Sequence, residues 1–236
     1  MKYHAKSNIV YGDVILADFA AFAFYANYKD GAQRDVETIT VPGKDGELLI
    51  DNGRYGNVAV EYRVQVTGVD NIRNLRAALL SQTGYNRLED EYEPNAYRVA
   101  YISEPPEIVQ EVADAAAISL KFSCKPQRYL KVGELGMEFT GNSTIYNPTS
   151  YTALPLVRVY GAGSVGIGAN TIRIADPGEY TDIDCEIQDA FEGSTNRNSS
   201  IRLASGEFFK LRPGANGISL SAGITKVIVT PRWYSQ

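Results

Sequence analysis

VRVYGAGSVGIGANTIRIAD, residues 157–176, carries Gly161-x-Gly163-x-x-Gly166 directly after a β-like run. A dinucleotide-binding turn uses this spacing because its third glycine opens a helix whose N-terminal amides hold a pyrophosphate. Here Gly166 is followed by Ile-Gly-Ala-Asn-Thr-Ile-Arg-Ile174, where Thr171–Ile174 alternates as a strand and Gly168 weakens any helix. Asp182 or Asp184 stands at a tolerable distance for a ribose-binding acid, but no parallel βαβ framework surrounds it. The stretch therefore reads as a glycine-rich hairpin with no cofactor site.

Outward from that hairpin the pattern is the same. Short strand-like runs are separated by Asp176-Pro-Gly178, Glu192-Gly-Ser194, Ser205-Gly206, Arg212-Pro-Gly214 and Ala222-Gly223, with no helical stripe among them. Turn signals at roughly eight- to twelve-residue spacing predict a β-sandwich or jelly roll. Upstream, Lys131–Ser150 breaks the alternation with Gly, Asn, Ser, Thr and Pro. A junction is expected near Asn147-Pro148, dividing the chain into domains 1–146 and 147–236.

The first of these also reads as β. In Val58-Ala-Val-Glu-Tyr-Arg-Val-Gln-Val66 the odd members of the run share one face and Glu61, Arg63 and Gln65 the other, the period of a half-buried strand. Ile118, Leu120, Phe122 and Cys124 repeat that alternation, which makes Cys124 a small buried hydrophobe rather than a nucleophile. Val36–Val41 forms a strand ending at Pro42, and Gly43-Lys-Asp-Gly46 a tight turn before Leu48–Ile50. Asp51-Asn-Gly53 is a second turn signal. One helix is expected, capped by Asp70, with Ile72, Leu75 and Leu79 on its buried stripe and Gly84 at its left-handed end. The fold class is mainly β: an N-terminal sandwich-like domain with one helix and a C-terminal β-sandwich or jelly roll.

Composition excludes several functions. The 236 residues carry a net charge of −5, with a pI near 5.1, so there is no basic footprint for nucleic acid. No run approaches the length of a membrane span, and Asp13 and Asp18 interrupt the apolar Val14–Ala26 that would otherwise pass for a signal-peptide core. Two cysteines far apart exclude a disulfide framework. Pro42-Gly-Lys-Asp is no P-loop, because Asp45 stands where Ser or Thr should hold magnesium.

Catalysis fares no better. His4 is the only histidine, too little for a nucleophilic triad or a zinc site. Alternation places Asp182, Asp184 and Glu186 on one strand face, where they could bind calcium or act as a glycosidase pair; the reading adopted is a solvated face that discourages aggregation. Glu89–Glu93 reads as a solvated acidic loop. Neither an enzyme nor a metal or cofactor site is expected.

A resemblance adds a positive reading. Arg34-Asp-Val-Glu-Thr-Ile-Thr-Val-Pro-Gly-Lys-Asp-Gly46, Asp51-Asn-Gly-Arg-Tyr-Gly-Asn57 and the long alternating strand resemble the N-terminal domain of siphophage distal tail proteins, the Dit family. The Leu75–Leu79 helix, Phe122–Tyr129, Asn147–Gly161 and Ile224–Tyr234 are similar to that family in order and spacing, although Lys44 stands where Arg is commoner. The resemblance implies a hexameric ring of N-terminal domains at the tail tip of the virion, decorated by galectin-like C-terminal β-sandwiches and with a lumen for the genome. It implies as partners the major tail protein, a tail-associated fibre protein and receptor-binding baseplate proteins. It suggests ring contacts at Val41, Pro42, Gly43, Lys44, Asp45, Gly46 and Tyr55. The alternative is a lectin-like module holding cell-wall saccharide, with stacking from Tyr180 or Trp233.

Overall fold

The computed structural model describes residues 7–27, 31–112 and 114–236. His4 lies outside them. The chain divides into two compact units, one running to Arg128 and a second spanning Tyr129–Ser235.

The first unit contains β1 (Ile9–Tyr11), β2 (Val14–Ile15), β3 (Ala21–Asn27), β4 (Arg34–Thr40), β5 (Glu47–Tyr55) and β6 (Val58–Thr67). The helix α1 (Val69–Ser81) follows, then β7 (Asn86–Asp90), β8 (Ala96–Val112) and β9 (Ala115–Leu130). All but β4 and β5 join one sheet in the order β2–β1–β7–β8–β9–β6–β3. The sheet folds back on itself. Ser7 and Ala23 exchange both backbone hydrogen bonds, at 2.9 and 2.8 Å, which ties the start of β1 to β3.

The alternation read in Val58–Val66 fixes the register: β6 pairs with β9 from Val58↔Cys124 to Thr67↔Ala115, so the inward residues of both strands share one core. Tyr11, Tyr62 and Phe122 meet there, with ring centroids 5.0 Å apart for Tyr11–Phe122 and 5.9 Å for Tyr62–Phe122. The helix closes one end of this core with Ile72, Leu75 and Leu79. Its cap differs from the one expected. Gly68, at φ 94°, is the N-cap residue and Asp70 lies within the first turn; the Val69 N–H is instead 3.3 Å from the Asp114 carboxylate. Gly84 is left-handed, but the helix has already ended at Ser81.

The second unit is a two-sheet sandwich. Its strands are β10 (Met137–Phe139), β11 (Ser143–Asn147), β12 (Leu156–Gly161), β13 (Gly163–Ile167), β14 (Asn170–Ile174) and β15 (Thr181–Asp184). They continue with β16 (Asp189–Glu192), β17 (Thr195–Asn196), β18 (Ile201–Leu203), β19 (Gly214–Leu220) and β20 (Ile224–Thr230). One sheet runs β10–β20–β12–β15–β16–β17, the other β11–β19–β13–β14–β18. Val157, Val159, Val227 and Val229 of the first face Val165, Ile167, Ile172 and Ile174 of the second in one core, with Phe209 and Trp233.

The division falls at Arg128, ahead of the expected junction at Asn147. β10 and β11 precede Asn147 yet pair with β20 and β19, deep in the second unit. Asn147 itself is buried. Its side-chain amide donates to the Tyr151 and Leu211 carbonyls at 2.8 and 2.9 Å and accepts from the Thr149 N–H at 2.9 Å. The polar run that resembles a linker holds two short strands followed by a turn over residues 147–151, whose polar groups satisfy one another.

The opening glycines are explained by packing. A Cβ at Gly161 would lie 2.3 Å from the Gly223 carbonyl, at Gly163 2.3 Å from the Ser221 hydroxyl, and at Gly166 2.4 Å from the Ser219 hydroxyl. Gly161 lets the backbone of the loop at Gly223 approach closely, Gly163 and Gly166 make room for serine hydroxyls, and β13 and β14 form the hairpin.

Candidate assembly surface

The segment Arg34–Tyr55 stands apart from both units' sheets. β4 and β5 pair only with each other, from Arg34↔Tyr55 to Thr40↔Glu47. Two-stranded ribbons are marginal in water unless something covers a face. Cross-strand partners point to the same side, so one face carries Glu37, Ile39, Leu48 and Ile50 and the other Val36, Thr38, Leu49 and Asp51. Both faces are apolar at their centre and both are exposed; Leu49 is 64% exposed.

Ion pairs hold the base of this ribbon. The Arg34 guanidinium donates to Asp51 at 2.5 Å and to the Tyr55 hydroxyl at 3.2 Å, while Arg54 pairs with Asp35. The Gly53 N–H bonds Asp51 at 2.8 Å, and that bond together with Arg34 holds the Asp51 carboxyl below its ordinary pKa. Asp35 is lowered by Arg54 and Asn52 in the same way. Asp51-Asn52-Gly53, expected to be a turn, lies inside β5. Its left-handed Gly53, at φ 71°, belongs to a register shift between Arg34 and Val36, a bulge that uses the same chemistry as a turn.

The tip is the turn expected at Gly43–Gly46, with φ 81° and 79° at the two glycines and the Lys44 N–H donating to the Val41 carbonyl at 3.1 Å. Pro42, Gly43, Lys44, Asp45 and Gly46 are exposed and Val41 is half-buried. Tyr55 sits at the opposite end of the ribbon, under Arg34, whose guanidinium carbon is 5.4 Å from its ring centre. The structure therefore brings the tip residues together and leaves Tyr55 apart.

The saccharide candidates separate. Trp233 is 2% exposed and packs in the second core, so it offers no stacking face. Tyr180 is half-exposed, 6.1 Å from Tyr160, with the Arg158 guanidinium 4.1 Å from its ring centre; Lys226 lies 4.8 Å from that of Tyr160. Tyr160 is the neighbour that sequence reading missed, because β12 meets β15 only through the fold.

The carboxylates form no reactive pair. Asp182 and Asp184 are buried, not solvated. Asp182 accepts two bonds from Arg158, at 2.7 and 2.8 Å, and Asp184 two from Arg232, also at 2.7 and 2.8 Å. Glu186 lies 3.4 Å from Arg232. Burial pushes the Asp184 pKa up, but Arg232 and the Glu186 and Ile187 N–H groups outweigh it, and the net shift is downward. A carboxylate held ionised by a bidentate arginine donates no proton near neutral pH. Of the expected acidic loop, Glu89 and Asp90 belong to β7, and its acids are tied down too: Asp90 accepts from the buried Tyr62 hydroxyl at 2.5 Å and Glu93 from Arg128 at 2.6 Å. Burial pushes the Cys124 and Cys185 thiols up to about 12, far from a nucleophile's range. Among the described residues no group of three His, Cys, Asp or Glu side chains could hold a metal ion, and no helix is long and apolar enough to cross a membrane.

No family model matches the sequence, and no curated protein matches it. A solved structure does. The chain superposes with a TM-score of 0.75 on the crystal structure of the SPP1 Dit protein (gp 19.1), a paradigm of the hub adsorption apparatus in phages that infect Gram-positive bacteria. The fold is Dit-like. The match covers 95% of this chain and 98% of the SPP1 Dit chain at 14% sequence identity, so the Dit-like architecture extends over both units.

Proposed function

We propose that this protein is a structural hub subunit of a phage tail tip and has no catalytic role. The observation that carries the reading is the Dit-like fold over nearly the whole chain, since the solved neighbour is itself a hub adsorption protein. The ribbon supports it independently, because a two-stranded element with apolar residues on both exposed faces needs a partner to cover it. In this reading six copies close a ring around a lumen for the genome, in the virion's tail tip. The ribbon tip, Val41–Gly46, contributes to the contact between copies, and Tyr55 braces its base. The ring meets the tail tube on one side and the fibre and receptor-binding proteins beyond.

Multi-angle light scattering and negative-stain microscopy of the purified protein test this. Six-fold rings are expected. A monomer that persists at high concentration, alone and with its tail partners, refutes it.

A second reading rests on the half-exposed Tyr160–Tyr180 pair with Arg158 and Lys226, a set of aromatic rings and fixed donors suited to saccharide hydroxyls. Titration with cell-wall polysaccharide should then show binding that Tyr180→Ala abolishes; no heat and no chemical-shift change would remove it.

A further inference from the structure

The first unit has a second uncovered apolar surface. A groove of about 420 Å³ between α1 and β8 is lined by Val69, Ile72, Arg73, Arg76, Leu80 and Ile108. Val69, Leu80 and Ile108 are exposed although they are large and apolar. Arg73 makes only an exposed pair with Asp70 at 3.5 Å, and Arg76 has no carboxylate within 4.0 Å among the described residues. On the ribbon face that carries Ile39, Leu48 and Ile50, Glu37 likewise lacks a basic partner among the described residues. One surface is an apolar groove edged by a cation without a carboxylate partner among the described residues. The other is an apolar ridge edged by an anion without a basic partner among the described residues.

We propose that the Ile39–Leu48–Ile50 face of the ribbon seats in the α1–β8 groove of a second copy of the chain, with Glu37 meeting Arg76 and Arg73. The proposal rests on the ring reading and gives it a polarity. A contact between two different faces of identical chains is heterologous: each copy offers a ridge to one neighbour and a groove to the other, and the series ends only by closing. Burying the aliphatic side chains drives the contact, while the charge pair sets the register and rejects a reversed ribbon. The opposite face, with Val36 and Leu49, stays free for a further layer.

The test is a charge swap read by analytical ultracentrifugation on the full chain, with circular dichroism confirming that each variant is folded. Glu37→Lys alone, and Arg73→Glu with Arg76→Glu, should each weaken assembly at least about tenfold. An equimolar mixture of the two should assemble again, because every ribbon then meets an oppositely charged groove; so should a single chain carrying all three changes. Folded variants that assemble like the unmodified protein, or a mixture that stays apart, overturn the ribbon–groove pairing while leaving a ring standing. Unmodified protein that never assembles, or that takes a different tail protein into the groove, overturns the pairing between copies, and the first of these results also removes the ring.

Discussion

Replacing Asn147 with Ala should destabilise the second unit by about 3 kcal/mol. The side chain donates to the Tyr151 and Leu211 carbonyls and accepts from the Thr149 N–H. Each lost buried bond costs about 1 kcal/mol net. The two carbonyls have other donors, the Ala153 N–H at 3.0 Å from Leu211 and the Thr149 hydroxyl at 3.1 Å from Tyr151, so neither is orphaned outright. The Asn147 oxygen shares that hydroxyl proton, at 2.8 Å, until it is removed. Loss of the Thr149 N–H partner supplies the remaining ~1 kcal/mol. Trp233 is the only tryptophan and lies in this unit's core, so its fluorescence during urea titration reports on the right transition. With a urea slope of about 1.3 kcal/mol per molar for a domain of this size, the midpoint should fall by about 2 M. A shift below about 0.5 M would mean that Asn147 is the linker residue its sequence context suggests, and the turn assignment would fail.

Other perturbations probe other parts. Leu75→Ala, at a fully buried helix position, should cost about 3 kcal/mol in the first unit, measured by loss of helical circular dichroism in denaturant. Arg232→Gln should destabilise the second unit by about 2 kcal/mol at pH 7, because the buried Asp184 charge loses its bidentate partner and keeps only the Glu186 and Ile187 N–H bonds. The native Asp184 pKa is depressed, so this stabilisation is present above the unfolded carboxylate range and fades as pH falls through the folded value; the gap between variant and parent should narrow below about pH 4. In the folded protein at pH 8, Cys124 and Cys185 should react with a disulfide reagent about a thousandfold more slowly than a free thiol, and at ordinary speed in denaturant. Fast labelling of the native state would contradict their burial.

Much of the architecture is legible because it rests on local periodicity. Val58–Val66 and Ile118–Cys124 each announce a half-buried strand, and their pairing follows from two apolar faces needing one core. Ile72, Leu75 and Leu79 announce the helix. What is illegible depends on partners distant in sequence. Asp182 and Asp184 read as a wet face because their arginines lie 24 and 48 positions away. Trp233, offered by the lectin alternative as a stacking ring, lies in the core because the sandwich closes over it through residues far away in sequence. Asp51-Asn52-Gly53 and Asn147-Pro148 mislead differently: a bulge, a turn and a linker all draw on the same small polar residues. The ribbon's strands and tip are visible in sequence, but that they lack a third strand is a fact of topology alone.

The hydrogen bonds between Ser7 and Ala23 bear on how such a chain survives before it is used. In a concentrated protein any open seam between strands invites runaway fibre growth. Here the backbone stitches that seam shut within each molecule. Strand addition at that point of the wall is thereby blocked, and growth there finds no template to copy.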